Sequence, residues 1–294
     1  MCGPFIKADC GISHHCYTDD IQLHFSFKAD DLQSLSSLLQ SLAAIEGWMA
    51  ANLLQLNTTK TEVLIIASDS LWARIKEHVG PLKNNTHTNI RNLGVQFDQT
   101  MQLESHVKSL CRNCFFHLRN IAKLRSIVSH SELEMSIHAF ISSRLDYCNS
   151  LFTRLNQSSV HRLQLVQNAA ARLLTRSKKS RHITAILATL HWLPIHFTIQ
   201  YKVLLLTYKA VHGQAPTYIQ ELIHRHNPRR ALRSTDPALL SVPRTRLKTK
   251  GDTSFEAMAP RLWNTLPLNL RLTLSIDSFK RQLKTHLYKL AFNC

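Results

Sequence analysis

Apolar residues recur at three- and four-residue spacing over most of this chain, and this helical periodicity constrains its fold more than any other feature of the sequence. Only 7 Gly and 9 Pro occur in 294 residues, which favours helices over a sheet-rich sandwich or barrel. A hydrophobic content of 44% can supply sizeable cores, which excludes a disordered chain. We therefore expect a mainly helical α+β protein with a small sheet.

Strands are expected only in the first hundred residues. Apolar and polar residues alternate from residue 21 to residue 27, as in a half-buried strand. Residues 11 to 17 can form the preceding strand, which makes Asp19 and Asp20 the tip of a hairpin. The pattern then predicts a helix over residues 32 to 49 with Asp30 or Asp31 as its N-cap, a strand over 63 to 67, and a strand over 92 to 97 with Gly94 in its middle.

From residue 101 onward the periodicity is almost entirely helical. Residues 129 to 132, Ser-His-Ser-Glu, form a capping box and open one of these helices. We divide the chain into residues 1–100, a helical block over 101–224, and a Pro- and Arg-rich arm with a closing helix over 225–294. Further helices are predicted over 159 to 176, 182 to 190, 196 to 212 and 275 to 291. The predicted inward-facing residues include Val107, Leu110, Cys114, Leu118, Ile121, Leu133, Ile137, Phe140, Ile141, Ile276, Phe279, Leu283, Leu287 and Leu290.

Positive charge is concentrated in the second part of the chain. The whole chain has a formal net charge of +17, but residues 1 to 100 hold 7 Lys or Arg against 10 Asp or Glu and are net −3. Residues 101 to 294 hold 29 against 9 and are net +20. Because each phosphate that Lys or Arg neutralises releases condensed counterions, so basic a region favours RNA or DNA as partner over a merely solvated face or attraction to a membrane surface.

The residues around Tyr17 carry the chemically most informative motif. Tyr17, a small residue and two adjacent aspartates, Asp19 and Asp20, stand at the predicted hairpin tip. Adjacent carboxylates suit a divalent cation, although two aspartates that only cap a turn would show the same pattern. This Tyr-x-Asp-Asp box, residues 17 to 20, resembles the metal-binding box of reverse transcriptases.

The resemblance is to the LINE-type (non-LTR) retrotransposon reverse transcriptases and runs collinearly over about residues 11 to 292. It implies a small antiparallel palm-like sheet with helices in residues 1–100, a helical thumb-like block in 101–224 and a basic C-terminal region. Such a series is far more specific than the box alone. Matching segments include Trp48-Met49, Leu93-Gly94-Val95, Arg144-Leu145-Asp146-Tyr147-Cys148-Asn149, Leu190-His191-Trp192-Leu193-Pro194 and Trp263-Asn264-Thr265-Leu266-Pro267.

The resemblance also implies roles for single residues. Asp19 inherits the role of a Mg²⁺ ligand and Asp20 the adjacent, less direct one, since polymerisation uses two divalent ions about 4 Å apart. Lys60 resembles the family's lysine that is proposed as the general acid for the departing pyrophosphate. The alternative is that Lys60 is a surface lysine on a loop without a catalytic role. The residues implied to contact template or primer in this region are Tyr17 and, in a primer-grip hairpin, Leu93 and Gly94.

The sequence departs from the family in what precedes the box. In the parent enzyme the partner aspartate, the fingers and a template-contacting motif all lie upstream, whereas 16 residues precede Tyr17 here. Carboxylates from one hairpin bind Mg²⁺ weakly, because the site has no second wall. We therefore expect a truncated RNA-directed DNA polymerase that does not copy nucleic acid as an isolated chain but still binds it.

Clusters of Lys and Arg mark candidate phosphate contacts in the basic region. Such contacts supply affinity without reading sequence, because every nucleotide carries the same phosphate. Trp192 and Trp263 could stack on bases, but each stands in an apolar context before a Pro, which favours a place in the core. The candidate phosphate contacts are Arg172, Arg176, Lys178, Lys179, Arg181, Arg229, Arg230, Arg233, Arg244, Arg246, Lys248 and Lys250.

Three other functions stay open on the sequence alone. The chain can be a non-catalytic helical interaction or scaffold protein, an upstream polymerase fragment can complete it to an active enzyme, or a decayed element can encode it without selected function. No stretch approaches roughly 18 consecutive apolar residues, and the seven Cys lack disulfide-framework spacing, so we expect an intracellular protein that spans no membrane. No small-molecule substrate is expected beyond the dNTP of the parent enzyme.

Overall fold

The computed structural model describes residues 12–18, 20–28, 31, 34–57, 59–178, 180–227, 238–245 and 251–293. The chain divides into two compact units, Met1–Met101 and Gln102–Cys294. Helices dominate, with small antiparallel and parallel sheets, so the mainly helical α+β class predicted from the sequence is confirmed. None of the described helices combines the length and the apolar content that a membrane crossing needs.

The first unit combines three two-stranded sheets with two α-helices in its described residues. Its elements are β1 (Ser13–Tyr17), β2 (Asp20–His24), α1 (Ser34–Ala51), β3 (Val63–Leu64), α2 (Asp69–His78), a 3-10 segment (Gly80–Asn85), β4 (Thr86–His87), β5 (Asn89–Asn92) and β6 (Val95–Asp98). Strands β1 and β2, like β5 and β6, form antiparallel hairpins, whereas β3 and β4 are parallel. The hairpin predicted around the box and the helix predicted after it are confirmed.

The start of α1 follows from local polar chemistry. The Asp31 carboxylate accepts a hydrogen bond from the backbone N–H of Ser34 at 3.2 Å and another from the Ser34 hydroxyl. A carboxylate in this position satisfies an N–H group that has no partner inside the helix. Of the two caps predicted from the sequence, Asp31 is thus the one the structure supports, and Asp30 lies outside the described residues.

Residues 92 to 97 do not form the single strand that the sequence pattern predicts. Leu93 and Gly94 have φ angles of 44° and 84°, and two consecutive positive values are typical of a type I′ hairpin turn. The chain reverses at these two residues, so that Asn92 pairs with Val95. The prediction was wrong because a Gly inside an apolar run marks a turn as readily as a flat strand.

The core of the first unit lies between its helices and β3. Leu35 of α1, Ile65, and Ile75 of α2 are buried together, and the stacked rings of Phe25 and Phe27 pack against them. The strand predicted over residues 21 to 27 ends at His24, and the two Phe side chains serve this core instead of extending the sheet.

Helices build the second unit throughout its described residues, apart from one isolated bridge between Arg225 and Leu240. Its elements are α3 (Glu104–Leu124), α4 (His130–Ile137), a π-helical turn (His138–Ser142), α5 (Ser143–Asp146), a 3-10 segment (Asn149–Arg154), α6 (Gln157–Thr175), α7 (Ile183–Thr189), α8 (Ile195–Val211), α9 (Thr217–Gln220), α10 (Phe255–Asn264), α11 (Leu268–Arg271) and α12 (Ile276–Phe292). The helices predicted over residues 159 to 176, 182 to 190, 196 to 212 and 275 to 291 are confirmed as α6, α7, α8 and α12.

The apolar stripe predicted for α3 is buried at every position and packs against α6. The capping box that begins α4 is also confirmed. The backbone N–H of Glu132 donates to the Ser129 hydroxyl at 3.3 Å, and the backbone N–H of Ser129 donates to the Glu132 carboxylate at 2.8 Å. The spacing of the stripe and the residues of the capping box are properties of a short stretch, which is why the sequence could predict them.

Two residues that were predicted to face inward are exposed. Phe140 is 45% exposed, and its ring stacks on His117 at a centroid distance of 5.1 Å. It lies in the π-helical turn, where Ile137 and Ile141 fill the buried face. Leu290 is also exposed, because the last turn of α12 packs through Phe292, on another side of the helix, against the cluster of Ala171, Ile186 and Leu187.

The main core of the second unit joins α8, α10 and α12. The ring of Phe279 lies 4.2 Å from that of Tyr208 and 5.9 Å from that of Trp263, measured between centroids. Trp263 donates its indole N–H to the Ala238 carbonyl at 2.9 Å, which confirms its predicted place in the core. Burial raises the pKa of Tyr208, whose hydroxyl donates to the Leu274 carbonyl. Residues of both predicted segments, 101–224 and 225–294, thus share one core.

Candidate nucleic-acid interface

The Tyr-x-Asp-Asp box occupies the end of the β1–β2 hairpin. Tyr17, the last residue of β1, pairs with Asp20, the first residue of β2. Thr18 has a φ of 52°, an uncommon conformation for a β-branched residue, and its hydroxyl donates to the Tyr17 carbonyl at 2.7 Å. Tyr17 is 62% exposed, and Asp20 is exposed as well. Asp19, the first predicted metal ligand, lies outside the described residues.

A hydrogen bond links this hairpin to the second one in the same unit. The side-chain amide of Gln22 in β2 donates to the Asn92 side-chain oxygen at 2.8 Å, and Asn92 immediately precedes the turn at Leu93 and Gly94. The fold therefore brings together two of the segments that the sequence singled out, the box and the Leu93-Gly94 turn. These segments lie about seventy residues apart, since Gln22 and Asn92 are separated by 70 positions.

The described part of the box does not by itself form a metal centre. No three His, Cys, Asp or Glu side chains among the described residues are arranged to hold a metal ion. Asp20 supplies one exposed carboxylate, whereas a two-ion site needs several oxygen donors that converge from more than one segment. Binding of Mg²⁺ by Asp19 and Asp20 therefore stays a prediction, and we derive no catalytic step from the described part of the box.

Lys60 lies in an exposed turn away from any regular element. The backbone N–H groups of Thr59 and Lys60 both donate to the Asn57 side-chain oxygen, at 3.1 and 3.2 Å. Within the described part of the chain the Lys60 ammonium makes no hydrogen bond or ion pair. Its role as a general acid stays a prediction.

The predicted phosphate contacts at the end of α6 form a compact basic turn. Arg176 ends the helix with a φ of 52° and donates a guanidinium N–H to the Arg125 carbonyl at 3.1 Å. The half-buried Arg172 donates to the Arg181 carbonyl at 3.5 Å, so it closes the turn rather than facing solvent fully. Lys179 lies outside the described residues. The exposed cations of this turn are Arg176, Lys178 and Arg181.

The structure adds a row of cations on α3 that the sequence analysis missed. Lys108, Arg112, Arg119 and Lys123 are all exposed, and at 3.6 residues per turn they fall within about 60° of arc. With a rise of 1.5 Å per residue the row is about 22 Å long. Lys and Arg stand at positions i, i+4, i+11 and i+15 of the sequence, so the row has a sequence signal beside the more prominent apolar stripe of this helix.

The inner face of α3 carries no compensating charge. Burial raises the pKa of the Cys114 thiol to about 11, with a contribution from Cys111, and burial also raises the pKa of Cys111. Both thiols are therefore neutral at physiological pH. All four cations of the row lie on the outer side, while α6 covers the inner side.

The row and the basic turn meet at the C-terminal end of α3. Arg125, whose carbonyl accepts the hydrogen bond from Arg176, is the residue that follows α3. We call the row and the turn together the α3 basic surface, which consists of Lys108, Arg112, Arg119, Lys123, Arg125, Arg176, Lys178 and Arg181.

The described ion pairs of Lys and Arg in the second unit lie outside the α3 basic surface. None of the eight cations of the α3 basic surface forms an ion pair with a described residue. The ion pairs of Lys and Arg in the described part of this unit are Lys202 with Asp146 at 2.9 Å, Arg261 with Asp252 at 2.7 Å and Lys280 with Asp277 at 3.2 Å. The positive charge of the α3 basic surface is thus available to a partner of opposite charge.

The basic arm near residue 240 is described only in part. Arg244 is exposed, as a phosphate contact must be. The other predicted contacts of the arm lie outside the described residues: Arg229, Arg230, Arg233, Arg246, Lys248 and Lys250.

Comparison with known proteins gives no match to any family model, curated protein or solved structure. The resemblance to LINE-type reverse transcriptases therefore stays a prediction from the sequence.

Proposed function

We propose that the chain is a carboxy-terminal part of a LINE-type reverse transcriptase whose second unit binds nucleic acid through its phosphates. The α3 basic surface is the observation that carries this proposal. Four of its cations share one arc of α3, and the others adjoin the end of that helix. None of them forms an ion pair with a carboxylate of the described residues. A linear array of cations complements a polyanion with regularly spaced charges.

The polymerase origin is supported by the sequence resemblance and by the first unit. We propose that the β1–β2 hairpin corresponds to the palm hairpin that carries the box. The β5–β6 hairpin, with its turn at Leu93 and Gly94, corresponds to the primer grip. The hydrogen bond between Gln22 and Asn92, which joins these two hairpins, is the contact expected if both belong to one palm-like site.

Binding of RNA or DNA is expected to weaken steeply as salt rises. Each phosphate contact on a single strand contributes about 0.7 to the slope of log affinity against log salt, so five or more contacts give a slope steeper than about −3. The measurement is filter binding of the full 294-residue chain to a labelled oligonucleotide between low and physiological salt. Absent or salt-independent binding would contradict the proposal and favour the scaffold function.

Primer extension by the isolated chain is expected to stay at background. The box supplies two carboxylates that are adjacent in the sequence, whereas the two-ion reaction needs ligands that converge on both metals from more than one segment. The assay combines the chain with a primed RNA template, dNTPs and Mg²⁺, and Asp19→Asn serves as the matched control. Extension that the wild type performs and the variant does not would prove this expectation wrong.

A further inference from the structure

Two phenylalanines are exposed in the middle of the cationic row on α3. Phe116 is 54% exposed, and Phe115 beside it is also exposed. Both lie in the interval between Arg112 and Arg119, the longest gap in the row. Exposing a large apolar ring to water is unfavourable, and more than half of the Phe116 side chain faces solvent although the neighbouring His117 ring lies 5.5 Å from it between centroids.

The position of the rings relative to the cations selects between kinds of nucleic acid. Phe115 and Phe116 lie on either side of the arc that Lys108, Arg112, Arg119 and Lys123 occupy, so a backbone on the cations passes between two aromatic rings. The bases of a duplex are stacked on one another and offer no free face. The bases of a single strand do, and aromatic rings beside a basic track are the usual platform for them.

The shape of the α3 basic surface favours the same kind of ligand. The basic turn follows α6, which packs on the inner face of α3, whereas the cationic row lies on the outer face. A straight, stiff duplex that lies along the row does not contact the basic turn. A flexible single strand can follow the row past the end of α3 and reach Arg176 and Arg181.

We propose that the α3 basic surface binds single-stranded RNA or DNA, with its phosphates on the cations and a base stacked on Phe116. This inference rests on the proposed function, because it specifies which nucleic acid the same surface takes. RNA and DNA single strands share the chemistry that the site recognises, namely a phosphate backbone with bases whose faces are free.

Fluorescence anisotropy with the full chain tests the inference. The probes are a labelled single strand of about 20 nucleotides, as RNA and as DNA, its duplex, and a strand of equal length without bases. We expect the single strand to bind about 10-fold more tightly than the strand without bases. Comparison of the RNA and DNA probes shows which source of single strands the site prefers.

Substitution of Phe116 separates stacking from charge. Phe116→Leu is expected to lower affinity for the base-containing strand about 10-fold and to leave the strand without bases unchanged, whereas Phe116→Tyr keeps wild-type affinity. Tyr218→Leu is the matched control, because Tyr218 is also exposed but lies on α9, a helix that packs on α8. We expect no change in affinity for that variant.

A second readout covers the case that Phe116→Leu fails to fold. In Phe116→Trp the additional fluorescence relative to wild type is expected to be quenched by the base-containing strand and not by the strand without bases. Equal quenching by both, or none, overturns the inference.

The possible outcomes distinguish the inference from the function on which it rests. If duplex and single strand bind equally, or Phe116→Leu binds like wild type, base stacking is wrong while salt-dependent binding still supports the proposed function. If the wild type binds none of the probes, the proposed function itself is wrong.

Discussion

Replacing Arg112, Arg119 and Lys178 together by Gln is expected to weaken binding of single-stranded nucleic acid about 100-fold at roughly 0.1 M salt. Each phosphate contact accounts for about 0.7 of the log–log salt slope, so at one tenth of molar salt each is worth about 0.7 of a decade in affinity. Removal of all three cations therefore costs about two decades in affinity. The slope itself should become shallower by about 2. Anisotropy titrations at several salt concentrations measure both quantities.

A triple variant on another helix controls for total charge. Arg281→Gln, Lys284→Gln and Lys289→Gln remove the same charge from exposed positions of α12, a helix that packs on α8. We expect this variant to show an affinity only a few-fold below wild type, through the weaker long-range field. Equal effects of the two triple variants would show that affinity follows net charge alone, and the α3 basic surface would then have no special role.

Replacing Trp263 by Ala is expected to lower the free energy of unfolding by about 4 kcal/mol. The side chain is 1% exposed and packs against Phe279, so its removal leaves a large cavity. The Ala238 carbonyl is also deprived of the indole N–H that donates to it at 2.9 Å. Urea unfolding followed by circular dichroism measures the change.

Two further variants separate the contributions at this position. Trp263→Phe keeps most of the ring volume but not the hydrogen bond, so a loss of about 1–2 kcal/mol is expected. Trp192→Ala removes an indole that is only half-buried and should cost less than Trp263→Ala. If Trp263→Ala unfolds like wild type but binds nucleic acid more weakly, the residue stacks on bases and its assignment to the core is wrong.

Much of the fold could be predicted because it depends on neighbours along the chain. The buried stripe of α3, the Ser129 capping box and the hairpin between Tyr17 and Asp20 each arise from residues within one element or one turn. Their patterns are visible without any knowledge of a partner. The errors came where a local pattern has two solutions, as at Gly94, or where a neighbouring element decides burial, as at Phe140.

Less of the candidate site could be predicted. The basic turn at Arg176 and Arg181 was predicted because its Lys and Arg residues are clustered in the sequence. The cationic row on α3 was not predicted, because its members are spread along most of that helix. The hydrogen bond of Arg176 with Arg125 crosses 51 positions and that of Gln22 with Asn92 crosses 70. Neither pairing has a signature in the residues themselves.

The amino-acid sequence by itself determined which segments are helical, where the chain is basic and which residues resemble a polymerase box. Periodicity, capping and charge are properties of short stretches, so they can be read without a fold. Only the tertiary structure decided that α6 covers the inner face of α3 and leaves four cations and two Phe rings outside, since burial depends on which helices pack together. It also decided that the basic turn meets the end of α3, because that hydrogen bond joins residues far apart in the chain.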